Sequence, residues 1–185
     1  MSGKLRYFPH LAGSLVLAGA SLMGFLGKWE GDEQFVVYPD KLAGGLPTVC
    51  RGLTRHVTST PIIVGERWSA EKCAHEEERA VERVQLQLVV CFKILPAQDV
   101  FDAASSHAWN LGAPATCGSA AMAAFNRGDW AQGCRRISRG DDGRIVWAFV
   151  TRVDPKTGQR SLVFVQGLGN RRADETRHCL LGVPA

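Results

Sequence analysis

Residues 29–52 read Trp-Glu-Gly-Asp-Glu-Gln-Phe-Val-Val-Tyr-Pro-Asp-Lys-Leu-Ala-Gly-Gly-Leu-Pro-Thr-Val-Cys-Arg-Gly, and their order decides the fold. Glu30 comes directly after an apolar run. Phe35-Val36-Val37-Tyr38 has the composition of a short strand stopping at Pro39-Asp40, Gly44-Gly45 and Pro47 make a turn, and Thr48-Val49-Cys50 returns as a second strand before Gly52. Pro61-Ile62-Ile63-Val64-Gly65 is expected to add a third extended piece. The result is a small antiparallel sheet of hairpins, with one acid before it, Glu30, one at its first turn, Asp40, and a hydroxyl, Thr48, in the next strand.

Beyond Trp68 the periodicity turns helical. Ser69 is placed to cap a helix carrying Val81, Val84 and Leu88 toward Leu95, with Glu76-Glu77-Glu78 expected on its solvated side. Pro96 suits the first turn of another helix, in which Val100, Phe101, Ala104 and Ala108 recur until Asn110 and Gly112 end it. Shorter helices are expected at 117–126 and, capped by Asp129, at 130–137. The alternating stretch 145–150, the turn 154–158 and residues 162–165 read as a hairpin, and a last helix begins near Asn170. A little sheet followed mostly by helices gives an α+β fold dominated by helix.

The chain of 185 residues can bury one substantial core, and no composition break divides it. The expected organisation is an apolar N-terminal segment, residues 1–28, and one catalytic domain, residues 29–185. The net charge of +4 is spread over Arg135, Arg136, Arg139, Arg144, Arg171, Arg172 and Arg177 rather than packed into an aromatic-studded stripe, which argues against nucleic acid and suits an anionic cell envelope. Six cysteines point to disulfides and an oxidising compartment, and Cys117 with Cys134 is the expected pair, joining two short neighbouring helices. No CxxC occurs, and Cys73 with His75 and Glu76 lacks a second half at ligand spacing, so no metal is expected. Nothing calls for an organic cofactor. Arg139-Gly140-Asp141 reads as a polar turn, and no GxSxG elbow supports a serine triad.

After Lys4 and Arg6, residues 11–27 are uncharged and apolar but diluted by Gly, Ala and Ser. As a helix they span about 25 Å, slightly short of a bilayer's hydrocarbon core, and the preceding cations keep the N-terminus cytoplasmic. Ala18-Gly19-Ala20 has the form of a signal cleavage site. The segment is therefore a cleaved signal, a permanent anchor or a temporary one that leaves the membrane; a core helix is the competing structural reading. Export is common to the first three.

Hydrolysis of a glycosidic bond needs a protonated acid at the leaving oxygen and a carboxylate across the cleft that activates water or stabilises positive charge. Glu30 at a helix end and Asp40 at a strand end satisfy the requirement, and the Thr48 hydroxyl can hold the water. Burial against Trp29 would keep Glu30 protonated. Asp32 and Glu33 are near enough to compete for the role.

The segments Trp29-Glu30-Gly31, Tyr38-Pro39-Asp40 and Gly45-Leu46-Pro47-Thr48-Val49-Cys50 with Gly52 resemble the active-site region of phage-type lysozymes, glycoside hydrolase family 24. Gln98-Asp99-Val100-Phe101-Asp102-Ala103, with Ser106, Asn110 and Gly112, is similar to that family's central helix, and residues 167–175 resemble its C-terminal segment of paired arginines and acid. The resemblance implies a lysozyme-like fold and a monomeric endolysin muramidase that cuts the β-1,4 bond between N-acetylmuramic acid and N-acetylglucosamine in peptidoglycan glycan strands. Glu30 is the implied acid, Asp40 the base or electrostatic stabiliser, and Thr48 the residue positioning water. Asn110, Arg171 and Arg172 are candidates for binding glycan or peptide stems, against the plainer roles of helix cap and ion pairs with Asp174 and Glu175. Two departures stand out: the Glu30, Asp40 and Thr48 spacing is wider than usual, and Leu53 replaces a histidine found in many relatives. The N-terminal segment resembles the signal-anchor-release element of some of these endolysins, implying inner-membrane tethering through residues 11–27 and then release to the periplasm. A lytic transglycosylase and a non-catalytic peptidoglycan-binding protein of the same fold are the rival readings.

Overall fold

The computed structural model describes residues 14–30, 33–41 and 44–184. Lys4, Arg6 and residues 11–13 of the apolar N-terminal segment, Gly31 of the Trp29-Glu30-Gly31 motif and the competing acid Asp32 lie outside the described residues. In chain order the elements are α1 (Ala20–Gly27), β1 (Gln34–Asp40), β2 (Leu46–Cys50), α2 (Ala70–Val89), α3 (Gln98–Leu111), α4 (Ala113–Cys117), α5 (Ala120–Phe125), α6 (Trp130–Arg136), β3 (Phe149–Val153), β4 (Arg160–Phe164) and α7 (Gln166–Leu181). The expected α+β fold is observed, mostly helical with two small antiparallel sheets, β1–β2 and β3–β4. Among the described residues no helix is long and apolar enough to cross a membrane.

Two apolar clusters divide the molecule, and α2 joins them. The smaller holds Val37, Val49, Cys50, Leu53, Trp68, Cys73 and Ala80; the larger is built on α3 and includes Leu88, Val100, Phe101, Met122, Phe125, Ile137 and Cys179. Every residue of α3 from Val100 to Ala108 is buried, as expected of a helix surrounded by others. The small residues Ala103, Ala104, Ser105, Ser106 and Ala108 let its neighbours approach closely.

The helix stops and starts follow their local chemistry. Ser69 accepts from the Lys72 amide and caps α2, and Asp129 accepts from the Gln132 amide and caps α6, both as expected. Gly112, at φ 89°, ends α3 in a conformation that side chains avoid. The expected helix over 117–126 is split, because Ser119 accepts from the Met122 amide and starts α5 afresh after α4 has ended at Cys117.

Three other expectations are corrected. Residues 61–65 form no strand; the outer edge of β1 instead bonds to residues 65–68, with Val37 N donating to Glu66 O and Trp68 N to Phe35 O. The strand expected at 145–150 begins only at Phe149, since Trp147 sits at φ 58° and breaks the extended run. The disulfides are Cys50–Cys73, Cys91–Cys117 and Cys134–Cys179, not Cys117–Cys134. Cys117 ends α4 facing the chain that leaves α2, whereas Cys134 on α6 faces α7.

Candidate active site

α1 ends at Gly27, and Glu30 follows it within one turn, its amide still bonded to the Leu26 carbonyl. Leu22 and Leu26 are buried with Val81 of α2, which fixes the direction in which the helix delivers Glu30. Its carboxylate is held from α7: Arg171 Nη1 donates to Glu30 Oε1 at 2.8 Å, with the Glu30 side chain 21% exposed and the Arg171 side chain 5%. Lys28 pairs with Asp174 of the same helix, and the Phe25 ring lies 5.2 Å from that of His178. Residues 171, 174 and 178 share one face of α7, so the end of α1 is docked by two ion pairs of opposite polarity and one ring contact.

Arg171 is itself fixed from behind. Its Nε donates to Glu175 Oε1 at 3.3 Å and its Nη2 to the Ser106 carbonyl at 3.3 Å. Glu175 Oε1 also receives Ser106 Oγ at 2.7 Å and Arg172 Nη2 at 2.6 Å. Burial pushes the Glu175 carboxyl up, against the pull of Arg172, Ser106 and Arg171. Breaking such a buried pair by removing one partner costs about 3–5 kcal/mol, because the other charge is left stranded. Arg171 and Arg172 are thus buried within the protein, at 4% and 0% exposure, and their hydrogen bonds run to protein groups.

His107, one helical residue beyond Ser106, bonds through Nδ1 to Thr116 Oγ1 at 2.8 Å and meets the Trp147 ring edge-on at 5.3 Å. Burial, with Arg172 and Arg171 nearby, lowers its pKa to about 3, so the ring is neutral. The φ of 58° at Trp147 turns this ring onto His107 where an extended backbone would continue the strand.

On the sheet side, Asp40 ends β1 opposite Leu46, and Tyr38 pairs with Thr48. Gly44 and Gly45 have φ of 68° and 86°, which suits the widened turn to glycine, and the Gly45 amide closes it by donating to the Asp40 carbonyl at 2.7 Å. Thr48 is buried, and its hydroxyl donates to the Leu46 carbonyl at 3.0 Å, leaving oxygen lone pairs to accept. Cys50 turns at φ 55° and Gly52 at φ 89°, and the chain reverses so that Val49 and Leu53 bond each other. Leu53 packs in the smaller cluster beside Trp68 and Cys73.

Arg51 projects from this turn toward Glu30, and both line a small cavity with Met23, Leu26, Gly27, Glu77, Val81 and Trp109. Glu77 accepts from the Arg51 amide at 3.0 Å and from its Nη1 at 3.4 Å, while Arg51 Nη2 stands 3.9 Å from Glu33. Burial pushes the Glu77 carboxyl up, opposed by the Arg51 amide and charge. Glu77 is therefore not on a solvated helix side, and only Glu78 of the acidic run is fully exposed; Glu76 is bonded by Thr58 and Thr60. Sequence reading missed Arg51 and Glu77, although a signal existed: positions 73, 77, 81, 85 and 88 form the buried stripe of α2, and Glu77 and Gln85 are its polar interruptions.

Trp109 also lines a groove with Arg55, His56, Thr58, Arg83, Gln87 and residues 112–114, so the groove and the Glu30 cavity share a wall. Asn110, beside that tryptophan, is exposed at the end of α3.

The phage lysozyme family model matches residues 27–175, a span that takes in Glu30, both strands of the first sheet and the Arg171–Glu175 network. The chain belongs to the phage lysozyme family. Membership makes peptidoglycan the family substrate and places the chain among lysozyme-type hydrolases. Among solved structures, the fold is similar to an endolysin from Escherichia coli O157:H7 phage FAHEc1, at 24% identity over 94% of this chain and 98% of that one, with a TM-score of 0.73. It is also similar to the muramidase domain of SpmX from Asticaccaulis excentricus, at 19% identity over 92% and 100%, TM-score 0.69. The active form of the P1 phage endolysin Lyz matches at 22% identity over 90% and 86%, TM-score 0.63. No curated protein matches by sequence.

Proposed function

We propose that this lysozyme-family chain is an endolysin muramidase of the glycoside hydrolase family 24 type, hydrolysing the β-1,4 bond between N-acetylmuramic acid and N-acetylglucosamine. The observation that carries the reading is Glu30: a carboxylate one-fifth exposed, delivered by a helix end and oriented by a buried arginine. In this mechanism Arg171 engages Oε1, and Oε2 presents the proton to the glycosidic oxygen. Asp40 activates water or stabilises the oxocarbenium charge, and the Thr48 oxygen accepts a hydrogen bond from that water. Arg171 acts here as a positioning residue for Glu30. The groove walled by Trp109 offers a path for the glycan, with Asn110 at its edge.

Residues 1–28 serve export in this reading: residues 11–27 insert in the inner membrane, hold the chain there inactive, and leave it for the periplasm. The reading is supported by how few side chains of this stretch are fully buried. In α1 only Leu22 and Leu26 are fully buried, and residues 16 and 18 are held by two glutamine amides. Release then lets α1 dock on α7 and carry Glu30 to Arg171, while residues 29–185 provide the rest of the catalytic domain.

Mass analysis of fragments from purified peptidoglycan tests the bond and the reaction together. Products ending in reducing N-acetylmuramic acid are expected. Anhydro-muramic ends would assign a transglycosylase instead, and sedimentation with peptidoglycan without any fragments would assign a binding protein.

A further inference from the structure

The β3–β4 hairpin stands apart from the lysozyme core. Its register pairs Phe149 with Phe164, Thr151 with Leu162 and Val153 with Arg160 on one face, and Val150 with Val163 and Arg152 with Ser161 on the other. Every residue of β3 is exposed, and in β4 only Val163 is partly covered. Phe149, Phe164 and Leu162 lie at 43%, 40% and 73% exposure, with Val153 at 52% beside them on the same face. A two-stranded ribbon with both faces in water is marginally stable, and a contiguous apolar face on it calls for an occupant.

The charges around that face decide which occupant. Arg152, Lys156 and Arg160 cluster toward the tip, and among the described residues none of them is in an ion pair. The one acid of the hairpin, Asp154, spends its carboxylate on the turn, accepting from the amides of Lys156 at 2.7 Å and Thr157 at 3.1 Å. The Phe149 and Phe164 rings pack edge-on against each other with centroids 5.6 Å apart, and the exposed aliphatics Leu162 and Val153 beside them offer a sugar neither a ring nor a hydrogen bond but suit acyl chains. Arg160 on the same face and Lys156 at the tip can reach phosphate while their stems lie along apolar surface, and Arg152 adds its charge from the opposite face. We infer that the β3–β4 hairpin is a docking surface for an anionic phospholipid bilayer, with Phe149, Val153 and Leu162 entering the interface and Lys156 and Arg160 meeting the headgroups. The hairpin leads directly into α7, so the surface holds the domain that carries Arg171 beside a membrane.

The test is cosedimentation of the full chain with phosphatidylglycerol-containing vesicles and with pure phosphatidylcholine vesicles, at low and high salt. Binding to the anionic vesicles that weakens with salt is expected. Lys156→Gln with Arg160→Gln should weaken it about thirty-fold, at roughly one decade and a half for two cations at the surface. Leu162→Asp should weaken it at least as much. All variants keep residues 14–27, so any difference from the wild type reads the hairpin and not the N-terminal segment. Activity on soluble peptidoglycan fragments and thermal midpoints should be unchanged, because none of these side chains packs on the core. Equal vesicle binding by wild type and variants would overturn the inference. So would a loss confined to retention on purified peptidoglycan, or a concentration-dependent dimer that Leu162→Asp abolishes while vesicle binding persists.

Discussion

Arg171 is suited to its place by geometry as much as by charge. A guanidinium presents several donors in one plane, and here they serve Glu30, Glu175 and the Ser106 carbonyl at once; a lysine could not reach all three. The cost of burying two arginines appears next door at His107, which is kept neutral by burial and by the two guanidiniums. This has a consequence for stability in acid. In the unfolded chain the imidazole takes up a proton near its ordinary value of 6.5, while the folded ring resists until about 3. Acid therefore favours unfolding across that window by about 1.4 kcal/mol per pH unit from this ring alone, and the effect vanishes above pH 6.5. Asp102, whose carboxyl is pushed up by burial, has the opposite sign, but it is present in both proteins compared. The plot of unfolding free energy against pH for His107→Asn should be flatter than that of the wild type between pH 6.5 and 3. Parallel curves from denaturant titrations would show that the ring is not buried as described.

At the scale of elements, α1 is docked rather than built in. Gln98 accepts from the Val16 amide at 2.9 Å and donates to its carbonyl at 3.0 Å, and the buried Gln85 accepts from the Ala18 amide at 2.6 Å while donating to Ser105. These two side chains tie the chain before α1 to α2 and α3. Gln98→Ala should speed hydrogen exchange at the Val16 and Ala18 amides about tenfold or more, the loss of roughly 1–1.5 kcal/mol of hydrogen bonding, and leave exchange in α3 unaltered. Unchanged exchange at both amides would mean that the Gln98 bonds do not hold the segment. Caps were the most legible features of the sequence, because Ser69 and Asp129 act on amides three residues away. The β3–β4 turn was legible for the same reason. What depended on distant partners was not: the Cys134–Cys179 bridge spans 45 residues, and Glu30 and Arg171 are separated by 141. The resemblance pointed to both residues of that pair, but only the fold brings them to 2.8 Å, and nothing in the run 145–150 announced the reversal at Trp147.

Across the whole molecule, α2 links a sheet-bearing cluster to a helical one, and each disulfide reinforces a different junction. Cys50–Cys73 ties the sheet to α2, Cys91–Cys117 ties the end of α2 to α4, and Cys134–Cys179 ties α6 to α7. The last of these closes the longest loop and steadies the helix from which Arg171 reaches Glu30. The fold thus sets Glu30 after one helix and the arginine that holds it on another. The central claim is that Glu30 supplies the proton for peptidoglycan cleavage. It is tested most directly by the rate of fragment release from purified peptidoglycan by the wild type and by Glu30→Gln, with circular dichroism confirming the fold of both. The account predicts a loss of at least about a hundred-fold in the variant, the scale of a missing general acid. Release at the wild-type rate by a folded Glu30→Gln protein would contradict it.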